Sequence, residues 1–82
     1  MDSELYARHI NALKLGFDGD FAGSISKLQE LVDEFPDEVE PLYDLAMTQM
    51  LVGQFEEACS NLKAVSKKEP NHAKALLQVI YC

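Results

Sequence analysis

Positive charge is scarce in this chain: seven Lys and Arg face fourteen Asp and Glu, a formal net charge of −7. That balance repels phosphate backbones and anionic lipid headgroups, so neither nucleic acid nor a membrane surface is expected as a partner. No apolar run approaches the roughly 20 residues needed to span a bilayer. The opening Met1-Asp2-Ser3-Glu4 is acidic and polar, unlike a secretory leader. These absences lead to the expectation of a reducing, cytoplasmic setting.

Reactive side chains are equally few. The two histidines are His9 and His72, and His72, beside Asn71 at a helix start, reads as a surface residue. Cys59 and Cys82 make neither a disulfide framework nor a closely spaced metal-ligand pair. Cys59 falls on a core-facing stripe and reads as a buried inert thiol. Cys82 reads as an exposed thiol, either incidental or available for an intermolecular disulfide. Asp18-Gly19-Asp20 lacks the further ligands and distal glutamate of a calcium loop. No segment alternates with strand period, so no glycine loop follows a strand to cradle phosphate. No catalytic residue, cofactor or metal is expected.

What the chain does have is apolar content and a period. Hydrophobic residues make up 48% of its 82 residues, ample for a packed core in one domain, residues 1–82. A chain this short hides only about 60% of the surface its unfolded form exposes, so that core is thin. An offset of 34 residues aligns Ala12 with Ala46, Gly19 with Gly53 and Phe21 with Phe55. The same offset aligns Ser26 with Ser60, Leu28 with Leu62 and Pro36 with Pro70. The matches fall at turns and core positions, which is where a structural repeat constrains residue type.

Helical period fits each half-repeat. The first helix is predicted from about Glu4 to Phe17 with Ser3 as N-cap, broken by Gly16, Asp18 and Gly19. The second runs from about Phe21 to Glu34, with Ile25, Leu28, Leu31, Val32 and Phe35 facing a core, and Pro36 ends it. Asp37 and Glu40 form a capping-box pattern for a third helix, with Pro41 in its first turn and Gly53 at its close. The fourth carries Phe55, Ala58, Cys59, Leu62 and Val65 on its buried stripe and stops at Pro70, after which Asn71 caps a fifth. Small Ala12 and Ala46 let antiparallel helices approach, while Phe21 and Phe55 are expected to fill the gaps beside the turns.

The segment from Leu45-Ala46 through Val52-Gly53-Gln54-Phe55-Glu56-Glu57-Ala58 to Glu69-Pro70-Asn71 resembles a tetratricopeptide repeat. Residues 39–72 carry the pattern more fully than residues 5–38, where Arg8, Asn11 and Ser24 depart from it. Polar Arg8 and Asn11 suit an N-terminal repeat, which has no predecessor to pack against. The resemblance implies an all-α fold: two antiparallel helix-turn-helix repeats, about 5–38 and 39–72, then a final single helix, about 72–82. It also implies a short right-handed solenoid that binds a peptide or helix of another protein in a concave groove.

In such an array the first helix of each repeat lines the groove. That places Tyr6, His9, Ile10, Leu13 and Phe17 along it from the first repeat, with Tyr43, Asp44, Met47 and Met50 from the second. Lys74, Leu77, Gln78 and Tyr81 follow from the last helix. Leu42, Leu45 and Ala46 form a separate stripe assigned to packing within the repeat. The Tyr43, Met47, Met50 stripe reads equally as ordinary core. Relatives that grip a terminal carboxylate need basic and amide groups where this chain has His9, Leu13, Asp44, Lys74 and Gln78. Only Lys74 fits, so that mode of binding is not expected.

Two further features bear on partners. No Lys or Arg lies between Leu28 and Leu62, while nine acids do, and Lys63, Lys67, Lys68 and Lys74 gather afterwards. This reads mainly as a solvated face with charges matched to helix dipoles, and otherwise as an acidic surface for a basic partner. The last helix is apolar almost all round, with Leu76, Leu77, Val79, Ile80 and Tyr81, and polar only at Lys74 and Gln78. One of its sides needs a cover, which a second copy (a homodimer) or further chain could supply. The expected roles are a protein-binding module, then a self-associating unit, then a docking segment of a larger protein.

Overall fold

The computed structural model describes residues 3–80 and Cys82. Among these residues the chain forms five helices and no strand: α1 Ser3–Phe17, α2 Phe21–Glu34, α3 Val39–Leu51, α4 Phe55–Lys68 and α5 Ala73–Ile80. Each helix packs on the next, and α1 also touches α3. The result is a slab of 30 × 27 × 18 Å.

The 34-residue period extends to individual backbone hydrogen bonds. Gly19 donates to Gly16 O and Asp20 to Leu15 O; one repeat later Gly53 donates to Met50 O and Gln54 to Gln49 O. Both glycines have positive φ, 95° and 84°, which lets each helix close on its last carbonyls without a Cβ clash. At the next corner Phe35 donates to Leu31 O and Glu38 to Phe35 O, matched by Glu69 to Val65 O and His72 to Glu69 O. Prolines at 36 and 70 prevent continuation at the same place in each unit.

Starts are less regular than stops. Asp20 caps α2 by accepting from Gly23 N at 2.9 Å, a side-chain oxygen serving a helix start. The expected box at Asp37 and Glu40 does not form: the N-cap of α3 is Glu38, and no side chain bonds there. The α5 cap is His72, whose Nδ1 accepts from Ala75 N at 3.1 Å, instead of Asn71. In both cases the Pro turn runs one residue further than the sequence pattern implies, which leaves Asp37 and Asn71 outside the helix. Ser3 is already within α1.

The core has two parts. Leu5, Ala12, Leu28, Leu31 and Leu45 form one cluster, flanked by Ile25, Val32 and Phe35. Val39, Leu42, Ala46, Leu62, Val65 and Ala75 form the other. Helix α3 serves both, which explains why it buries residues on so many sides. Leu42 and Ala46 face α4 as expected, whereas Leu45 turns back to the first repeat. Helices α1 and α2 approach closely at Gly16, where a Cβ would stand 3.3 Å from Ser24 Oγ.

Two packing expectations need correction. Phe21 and Phe55 do not fill gaps; both stay at the surface, Phe55 being 60% exposed. Each is the first residue of its helix, and side chains tilt towards the helix N-terminus, here beyond the end of the core. The cysteines are not free: Cys59 and Cys82 form an intrachain disulfide, with Cα atoms 5.8 Å apart. Helix α5 runs back along α4, and that antiparallel return brings residues 23 apart in sequence into bonding range.

Candidate partner-binding groove

Helices α1, α3 and α5 are the first helices of successive units, and the predicted groove residues lie on them. At the junction of α3 and α5, Glu40, Tyr43, Asp44, His72, Ala73 and Lys74 enclose an open cleft of about 450 Å³. Three predicted residues meet here: Tyr43, Asp44 and Lys74. His72 was missed as a participant. Its ring lies 4.9 Å from that of Tyr43, tilted 37°, while its Nδ1 caps α5, so one side chain holds the helix start and forms the cleft wall.

Electrostatics in the cleft are mixed, two carboxylates facing one ammonium. Burial raises the Tyr43 phenol above its ordinary value, and the charges of Asp44 and Glu40 push it further the same way. At neutral pH Tyr43 is therefore a neutral hydroxyl, able to donate or accept.

The other predicted positions spread out. Tyr6 is 59% exposed on α1, and Ile10 and Phe17 are also exposed. Leu13 lines a separate cleft with Phe17, Phe21 and Leu51. Met47 and Met50 are half-buried against the second core cluster, so their stripe is partly core and partly surface. His9 is only 7% exposed; its Nε2 lies 2.6 Å from Asp44 Oδ2, placing it beneath the groove floor. On α5, Leu76 and Leu77 are exposed and Ile80 is 75% exposed, whereas Val79 packs inward on the second cluster. Tyr81 lies outside the described residues.

Two part-buried polar contacts involve α3, one within the helix and one from α4. Thr48 Oγ1 donates to Asp44 O at 2.8 Å, and Asn61 Nδ2 donates to Gln49 Oε1 at 2.8 Å. On the opposite flank a cleft of about 610 Å³ lies along α1 and α2, lined by Arg8, Asn11, Lys14, Lys27 and Glu30 among others. Of its charges, Lys27 lies 3.7 Å from Glu30, and Arg8 pairs with Glu34 outside the cleft.

Among the described residues, no group of three or more His, Cys, Asp or Glu is placed to hold a metal ion. No helix among them is long and apolar enough to cross a membrane.

Comparison with known proteins agrees with this architecture. No curated protein matches the chain. Among solved structures, MamA 41-end from Desulfovibrio magneticus RS-1 superposes with a TM-score of 0.87 at 20% identity, over 96% of this chain. The MamA RS-1 ArsTM double mutant gives the same TM-score and identity. The chain spans only 45% and 44% of the length of those two structures, which are alike in fold. A tetratricopeptide repeat family model matches residues 18–80, and the chain belongs to that family of protein-interaction scaffolds.

Proposed function

We propose that this chain binds a peptide or helix of a partner protein along α1, α3 and α5, centred on Tyr43, Asp44 and Lys74. The observation that carries the reading is the cleft at the α3–α5 junction, where those three side chains converge with Glu40 and His72. A fitting ligand carries an apolar side chain to meet Tyr43 and a Lys or Arg to meet Glu40 and Asp44. Tyr6, Leu13, Met47 and Met50 extend the contact along the same helices, and His9 acts by holding Asp44. In this reading residues 1–82 are one domain, with repeats at about 5–38 and 39–72 and a terminal unit, about 72–82, that holds α5. Nucleic acid and membranes are not partners, no cofactor is required, and the module has no catalytic activity of its own.

Selection from a displayed peptide library, followed by titration of the winners, tests the proposal. Tyr43→Ala and Lys74→Ala should weaken binding by about 10-fold or more, as loss of a central contact does, with helical content unchanged. Selected peptides that bind both variants as well as the parent would refute the groove.

A second reading is favoured by the exposed Leu76, Leu77 and Ile80 on α5: a homodimer through that face. Sedimentation at high concentration separates the two, since a monomer leaves only the first. A docking segment of a larger protein is a third reading. A cytoplasmic location is part of the proposal, and there the Cys59–Cys82 bond is exposed to cellular reductants.

A further inference from the structure

Helix α5 is held in an unusual way. It has eight residues, fewer than the roughly 12–15 an isolated helix needs to persist in water. Ala75 is its one fully buried side chain, with Gln78 and Val79 half-buried, while Leu76, Leu77 and Ile80 face outward. Its start is fastened by His72, through the cap on Ala75 N and the ring contact with Tyr43. Its far end is fastened by the Cys59–Cys82 disulfide to α4. Cys82 is exposed and its backbone N donates to Val79 O at 3.0 Å, so the bond holds the last turn of α5 directly.

We infer that Cys59–Cys82 is a thiol–disulfide exchange site that clamps α5 against α4 and releases it on reduction by a dithiol. A thiolate of the dithiol attacks Sγ of Cys82, the more exposed of the two residues, forming a mixed disulfide; the Cys59–Cys82 bond breaks and Cys59 leaves as a thiolate that takes up a proton. The second thiol of the reductant then loses its proton and attacks its own sulfur in the mixed disulfide. Cys82 is expelled as a thiolate and protonated. Two electrons pass to the protein and the dithiol ends as a disulfide. Exposed disulfides are the readily exchanged ones, and Cys82 lies at the surface.

Release has a defined consequence. Opening the bond, which joins residues 23 apart, raises the undocked population of α5 by about 100-fold, the scale of the lost loop-closure constraint. Residues on α3 and α4 that α5 borders, Met50 and Phe55 among them, then gain exposure. Helices α1 to α4 retain their own two clusters apart from Ala75 and the half-buried Val79 and stay folded. The inference does not depend on what occupies the groove.

Hydrogen exchange on the purified full chain, air-oxidised and then treated with excess dithiothreitol, tests this with intact mass measured alongside. The oxidised chain should be lighter by two hydrogens. On reduction, amide protection over residues 73–80 should fall by about 100-fold while residues 39–68 keep theirs. Cys59→Ser and Cys82→Ser should each reproduce the reduced pattern without reductant. Equal masses, unchanged protection over 73–80, or loss of protection throughout α1 to α4 would each overturn the clamp. Failure of both variants to fold would also overturn it, by making the bond a requirement of the whole fold.

Discussion

His9 Nε2 and Asp44 Oδ2 lie 2.6 Å apart and join the first helix of one repeat to the first helix of the next. His9 is buried and Asp44 partly so, which makes this the polar fastening between α1 and α3. A carboxylate accepts only, so Nε2 carries the proton in this contact. The same Asp44 lines the candidate cleft, so its structural and binding roles need to be separated by measurement.

Asp44→Ala should cost about 1–3 kcal/mol in urea unfolding, because it leaves the buried His9 ring without its partner. The double variant with His9→Leu should recover part of that loss, since both polar groups are then removed. A loss under about 0.5 kcal/mol for Asp44→Ala would mean the pair contributes little to the fold.

Ser24 and Ala58 occupy equivalent sites 34 residues apart, and both are buried. Ser24 Oγ has no hydrogen-bond partner and lies close to the Gly16 position. Ser24→Ala is expected to stabilise by about 1 kcal/mol, combining helix propensity with removal of an unpaired hydroxyl. Ala58→Leu should destabilise by about 1–3 kcal/mol through overpacking. Thermal melts of the two variants should shift in opposite directions.

Met47 is half-buried against Val39, Leu42 and their neighbours. Met47→Ala should therefore cost about 1–2 kcal/mol, below the range of about 2–5 kcal/mol for a fully buried methionine. A cost of several kcal/mol would assign this position to the core and remove it from the groove.

Tyr43 should titrate above 10, the ordinary phenol value, chiefly because it is desolvated and secondarily because of Asp44 and Glu40. The folded state then holds this proton more tightly than the unfolded chain does. The resulting stability is complete below the unfolded pKa and is lost as pH rises through the folded one. Unfolding midpoints should fall on the alkaline side of pH 10, and less so in Tyr43→Phe. NMR titration of the Tyr43 ring gives the direct check, and a midpoint at or below 10 would contradict the burial described.

The helix limits were legible in the sequence because they depend on neighbours along the chain. Glycine at 19 and 53 permits a positive φ, and proline at 36 and 70 stops a helix locally; α2 accordingly spans Phe21–Glu34 as its residues imply. Tyr43, Asp44 and Lys74 were also legible as one surface, because repeat spacing puts equivalent helices side by side. The contacts that complete the site were not. Whether His9 meets Asp44, whether His72 or Asn71 caps α5, and whether Cys59 reaches Cys82 depend on how far each helix is rotated and shifted against its neighbour. Those offsets come from the packing of whole apolar faces, such as Leu45 turning to the first cluster while Leu42 faces the second. Local stereochemistry sets where a helix begins and ends; only the packed tertiary structure decides which side chains meet across the gap.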